Sequence, residues 1–110
     1  MIGRLQLRSD FTRLTEGGTY VRSGGLWCRM MLDPTRSEAH VGYAIGRSFG
    51  GAVARNRIRR RLRVLLAGHA DRLQPGLYLV GAQPTLDGSS AQALATSVDG
   101  LVTQISKHYE

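Results

Sequence analysis

Three helices packed on a four-stranded sheet, in the order αβββαβα, is the α+β sandwich that the sequence predicts. Three observations carry that prediction. Two long segments repeat their apolar residues at helical spacing, Ala54 to Leu66 and Leu94 to Ile105. Leu26 to Leu32 alternates with a period of two, and Leu77-Tyr78-Leu79-Val80 is a nearly unbroken apolar run, as expected of a strand covered on both faces. Turn residues separate these segments, and 110 residues suffice for one modest core and not for two, so residues 1–110 form a single domain.

Taken in order, Ser9 is the expected N-cap of a first helix, with Asp10 in its first turn and Leu7, Phe11 and Leu14 at helical spacing; Gly17-Gly18 ends it. Thr19 to Arg22 is short and β-prone, and Ser23-Gly24-Gly25 is a turn. In the strand that follows, Leu26, Cys28, Met30 and Leu32 point one way, and Trp27, Arg29 and Met31 the other. A polar loop with Pro34 leads to a third strand, His40 to Ile45. A basic helix is expected from Gly51 to His69, a turn at Gln74-Pro75-Gly76, and a last helix capped by Ser89 or Ser90 with Leu94, Val98, Leu101, Val102 and Ile105 on one stripe. Gly100 weakens that helix.

The charge is as informative as the pattern. The formal net charge is +7, and fourteen of the fifteen basic residues are arginine, Lys107 being the exception. Residues 47 to 63 hold seven arginines, and no acidic residue occurs between Glu38 and Asp71. At about 100° per residue, Ala54, Ile58, Leu62, Leu65 and Leu66 fall in one narrow sector, and the arginines spread over the rest of the circumference. Arg55/Arg59, Arg59/Arg63, Arg57/Arg61, Arg57/Arg60 and Arg60/Arg63 are like-charge neighbours one turn apart. At ~0.2–0.5 kcal/mol each, they cost the isolated helix about 1–2.5 kcal/mol. A phosphate polyanion offsets that repulsion, and arginine's planar fork suits phosphate and base stacking. Nucleic acid is the partner these observations favour.

Other chemistries fit less well. Cys28 is the single cysteine, so an internal disulfide and a cysteine metal cluster are both excluded. The first residues lack the apolar core of a signal peptide, and no apolar run approaches the ~20 residues that span a membrane, so a cytoplasmic location without a membrane partner is expected. His40, His69 and His108 are scattered, and Asp10, Asp33 and Glu38 lack the spacing of a two-metal site. Gly46 to Gly51 opens a helix but lacks the Walker spacing. No helix-turn-helix pair or leucine heptad points to a DNA-binding regulator.

Gly50-Gly51-Ala52-Val53-Ala54-Arg55-Asn56-Arg57-Ile58-Arg59-Arg60-Arg61-Leu62-Arg63 resembles the signature of the bacterial ribonuclease P protein subunit, whose pattern runs Gly-x-Ala-Val-x-Arg-Asn-Arg-x-Lys/Arg-Arg-x-x-Arg. The resemblance extends to Arg4-Leu5, Phe11 and Val41-Gly42-Tyr43. It implies a mostly antiparallel four-stranded sheet with a left-handed βαβ crossover, against the usual right-handed rule. It implies a non-catalytic subunit of a ribonucleoprotein endoribonuclease that cleaves the 5′ leader from precursor tRNA. The catalytic RNA supplies the active centre and, with the substrate, holds the Mg2+ ions; no organic cofactor and no protein partner are required. By the same resemblance Arg47, Arg55, Asn56, Arg57, Arg59, Arg60 and Arg63 face RNA, and Phe11, Trp27 and Arg29 line a groove for the leader of precursor tRNA. Trp27 could equally be packing. The alternative function is a structural RNA-binding protein of ribosomal type.

The chain departs from the family at several positions. Thr15 and Arg29 stand where relatives often carry aromatics, Gly46-Arg47-Ser48 replaces Ser-Lys-Lys, Gly51 replaces Asn or Lys, and Arg61 adds a charge at a position often apolar.

Overall fold

A computed structural model describes residues 2–109. The elements are β1 (Ile2–Arg4), α1 (Arg8–Gly17), β2 (Thr19–Ser23), β3 (Leu26–Leu32), β4 (Ala39–Ala44), α2 (Ala52–Ala67), β5 (Gly76–Ala82) and α3 (Ala91–Lys107), with short 3-10 turns at Arg47–Phe49, Ala70–Arg72 and Pro84–Leu86. The sheet has five strands in the order β1-β4-β5-β3-β2. It is mixed: β1/β4 and β4/β5 are parallel, and β3/β5 and β2/β3 are antiparallel.

Two expectations are corrected here. The sheet is not four-stranded and mostly antiparallel, because Ile2–Arg4 adds a parallel edge strand against Ala39–Val41. Three residues are too few to show alternation, and the partner lies far along the chain, so no local signal marks this strand. Ser9 is not the first helix's cap. Arg8 already has helical geometry, with Leu7 at the cap position and no side-chain bond there. Two later elements match closely: β3 spans the expected residues, and Ser90 caps α3 by accepting from the Ala93 amide at 3.1 Å.

Register assigns the two faces of the sheet. On one face Val41, Tyr78 and Met30 form a row, and Val80, Cys28 and Val21 continue it. Ile58, Leu62 and Leu66 of α2 and the full predicted stripe of α3 bury against this face to make the main core. On the opposite face α1 lays Leu14 and Phe11 over Leu77, Leu79 and Met31, with Leu5 completing a smaller cluster. The helices therefore do not all lie on one side.

Gly100 has a packing reason. A Cβ there would overlap the Ser23 hydroxyl as it is placed, so its absence lets α3 lie close to β2. Asp10 is a buried charged residue, at 3 % exposure. Its Oδ1 accepts from Arg36 Nη2 at 2.8 Å, Arg36 Nε donates to Asp33 Oδ2 at 3.1 Å, and Arg13 Nη1 reaches Asp33 at 3.4 Å. This network ties α1 to the loop between β3 and β4, which sets where Phe11 stands over the sheet. At the other end, the Tyr78 hydroxyl donates to the Gln74 carbonyl at 2.7 Å and meets the Tyr109 hydroxyl, closing α3 against β5.

Candidate nucleic-acid interface

The basic helix is held by a thin apolar seam. Ile58, Leu62 and Leu66 are buried, and Ala54 and Leu65 are partly so. At roughly 1.5–3 kcal/mol per fully buried aliphatic, three such residues contribute on the order of 4.5–9 kcal/mol. That exceeds the ~1–2.5 kcal/mol of repulsion among the arginines. Packing wins, and the cationic surface is retained.

The arginines are not equivalent. Arg57, Arg60 and Arg63 are exposed, as is Arg47 in the 3-10 turn that leads into α2. Arg59 is half-buried: its Nη2 donates to the Ile45 carbonyl at 2.9 Å and its Nη1 to Asn56 Oδ1 at 3.2 Å. It locks the helix to the end of β4 and orients Asn56. Arg55 is half-buried, and its Nε has no partner among the described residues. The Arg63 guanidinium lies over the Tyr43 ring, 5.9 Å from its centroid. Burial pushes the Tyr43 phenol above its ordinary pKa, with the Arg63 charge opposing.

A cleft of about 480 Å³ opens beside β1. It exists because β1 pairs only as far as Val41, with the Leu5 amide adding one bond to the Val41 carbonyl at 3.2 Å. Beyond that point the edge of β4 at Gly42 and Tyr43 has no strand partner among the described residues, and Gly42 is buried beneath the Leu5 side chain. Phe11 and Leu5 form one wall, and Arg59 and Arg63 form the other. An aromatic ring from α1 and guanidinium groups from α2 thus meet in one concavity.

The open part of the sheet face continues from α1. Register aligns Gly42, Leu79, Arg29 and Tyr20 in one row, and Ala44, Gly81, Trp27 and Arg22 in the next. Trp27 lies flat across Gly81, where any side chain would overlap its ring. Its other neighbour is Tyr20, with centroids 6.0 Å apart and planes inclined by 25°. The Arg29 guanidinium sits 5.7 Å from the Tyr20 centroid. Trp27 and Arg29 therefore face outward on the α1 side, as the alternation predicts, and Trp27 is not part of the main core.

Tyr20 belongs to this surface, and the sequence pattern does not single it out. It is 47 % exposed and completes a ladder of two rings and a guanidinium. The signal for it lies in the two-residue loop at Gly24-Gly25, which sets a hairpin register that places Tyr20 beside Arg29 and diagonal to Trp27. Thr15 donates to the Phe11 carbonyl of its own helix at 3.0 Å and adds no ring to this face.

The histidines do not converge. His40 Nδ1 lies 3.5 Å from Arg36, His69 follows the end of α2 beside Arg72, and His108 is exposed at the end of α3. Among the described residues no group of three or more His, Cys, Asp or Glu is placed to hold a metal ion. No helix of the described residues is long and apolar enough to cross a membrane.

The family model for ribonuclease P matches residues 3–106. The chain belongs to the ribonuclease P protein family. It is 31 % identical over 103 residues to the ribonuclease P protein component of Beutenbergia cavernae, covering 93 % of this chain and 87 % of the relative. The corresponding protein of Acidothermus cellulolyticus is 33 % identical over 108 residues, with 94 % and 88 % covered. Among solved structures, the RNase P protein of Staphylococcus aureus superposes with a TM-score of 0.84 at 19 % identity, covering 93 % of this chain and 94 % of that one. The Thermotoga maritima protein superposes at 0.80 and 19 % identity, with 92 % and 96 % covered. The family fold is thus the one described above, including the parallel β4-α2-β5 connection. Membership makes this chain a component of the ribonuclease P ribonucleoprotein.

Proposed function

We propose that this chain holds the catalytic RNA of ribonuclease P with one side of α2 and the 5′ leader of precursor tRNA with the cleft and open sheet face, promoting tRNA 5′-end maturation. The observation that carries it is the cleft with Phe11 on one wall and Arg59 and Arg63 on the other. Single-stranded RNA is commonly held by stacking of its bases and cationic contacts to its backbone, and both kinds of group converge here. From that cleft the leader runs along Arg29, Tyr20 and Trp27. Arg47, Arg55, Asn56, Arg57 and Arg60 contact the catalytic RNA, with Arg59 holding the helix in position for them.

In this reading bond cleavage belongs to the RNA and to Mg2+ ions bound by it and the substrate. The protein binds and orients. The experiment adds the purified chain to a bacterial ribonuclease P RNA at low magnesium and measures precursor-tRNA cleavage. Stimulation supports the reading. RNA binding without stimulation returns the chain to the alternative, a structural RNA-binding role.

A further inference from the structure

We propose that a shallow hole on the far side of α2, open to solvent and lined by Arg60, Arg61, Val64 and Leu65 with Ala91 of α3 at its margin, receives one unstacked base of the catalytic RNA. The inference rests on the reading of α2 as the RNA-facing helix, and extends it to a site away from the leader cleft. The hole is more open than enclosed and offers about 280 Å³. That lies just below the ~300–1,000 Å³ of pockets for drug-sized ligands, so it takes a single flat group and not a base pair.

Its position follows from helical geometry. Arg60 and Arg61 sit one turn before Val64 and Leu65, so the four surround a gap on the helix surface. The start of α3 lies at its margin. Two features of this gap are unexplained by the fold. Val64 is 68 % exposed, on the same stripe as Arg57 and Arg60. Arg61 is half-buried beside apolar neighbours, with no ion-pair or hydrogen-bond partner among the described residues. Arg61 packs its stem against these neighbours and leaves a guanidinium without a protein partner, free to stack on a flat π-face.

Charge selects the occupant. No acidic residue lies between Glu38 and Asp71, so the rim is purely cationic on its α2 side. An RNA crossing Arg57 and Arg60 passes over the mouth of the hole. A paired stem would present only phosphates and riboses to Val64. An unpaired nucleotide presents a base that covers Val64 and stacks on Arg61, which is how sequence-specific RNA contacts are usually made.

Ala91→Phe tests the assignment, because it fills the hole without changing charge at an exposed position in the first turn of α3. Binding of the full chain to bacterial ribonuclease P RNA is measured across a salt series, with chemical probing of every unpaired nucleotide. The expected result is about tenfold weaker binding with an unchanged salt slope. One nucleotide protected by the wild-type chain becomes reactive again. Val64→Thr, nearly the same shape, gives a smaller loss in the same direction. Wild-type affinity for both variants, or the absence of such a nucleotide, overturns the proposal. Arg57→Ala is run alongside: if it lowers the salt slope while Ala91→Phe does nothing, only the hole is refuted. If Arg57→Ala also does nothing, the RNA-facing reading of α2 itself fails.

Discussion

Replacing single arginines of α2 by alanine should move protein stability in opposite directions, according to what each guanidinium touches. Arg57 and Arg60 are exposed, and each has two like-charged neighbours one turn away: Arg60 and Arg61 for the first, Arg57 and Arg63 for the second. Removing either relieves two repulsions, so the free protein gains about 0.4–1 kcal/mol. Arg59 also has two such neighbours, Arg55 and Arg63, but it donates to the Ile45 carbonyl at 2.9 Å. A hydrogen bond from a charged donor contributes ~1.5–3 kcal/mol, so Arg59→Ala loses a net of roughly 0.5–2.6 kcal/mol. Urea unfolding of the three variants measures these shifts. RNA binding is then titrated against salt. Arg57→Ala and Arg60→Ala should each lower the slope of log K by about 0.7–0.9 for every phosphate left without its cation. A variant that is more stable alone and weaker on RNA is the signature of a residue retained for its partner. Loss of stability in Arg57→Ala, or an unchanged slope in both exposed variants, would refute the division.

Phe11→Ala should weaken binding of precursor tRNA more than of mature tRNA; equal effects in a binding assay would reduce Phe11 to a member of the small cluster with Leu14 and Leu77. Trp27 is the single tryptophan, so its fluorescence should change on adding a precursor with a long leader and not on adding mature tRNA, and Tyr20→Ala should weaken the same interaction. Burial pushes the Cys28 thiol up to about 12, so it should resist thiol reagents at pH ~8 in the folded protein and react once urea unfolds it. Asp33 is lowered to about 2 by the Thr35 hydroxyl first and then by Arg36. Its folded pKa lies below the unfolded value near ~3.9, so its contribution is present above pH ~4 and lost as pH falls toward ~2; hydrogen exchange of α1 and the β3–β4 loop should accelerate in that window.

Local periodicity marks those elements in which a buried face or stripe repeats several times. All five residues of the α3 stripe are buried, and β3 ends where its alternation ends, because in both the pattern repeats often enough to identify itself. β1 fails that test. Its three residues become a strand only through Ala39–Val41, and without it the sheet reads as four strands. Ser9 misleads for a related reason. A good capping residue lies one position inside the helix, because the ion pair from Asp10 to Arg36 and the apolar packing of Leu14 fix where the first turn docks. Tertiary partners outweigh the local preference there.

The site divides along the same line. Arginine density and its phase against Ile58, Leu62 and Leu66 are written in one helix, so the cationic surface is visible from spacing alone. Composition does not distinguish Arg59 from Arg60, although one is fastened to the Ile45 carbonyl and the other is open to solvent. That distinction depends on where β4 ends beneath the helix. The aromatic platform is a step further from the sequence. Trp27 lies flat because Gly81 stands opposite it on β5, and Tyr20 reaches it because the hairpin at Gly24-Gly25 sets the register of β2. Three segments far apart in the chain must agree before a stacking surface exists. A side chain at position 81 would remove it without altering a single aromatic residue. Gly81→Val should therefore displace Trp27 and reduce leader binding even though Trp27 and Tyr20 are both intact.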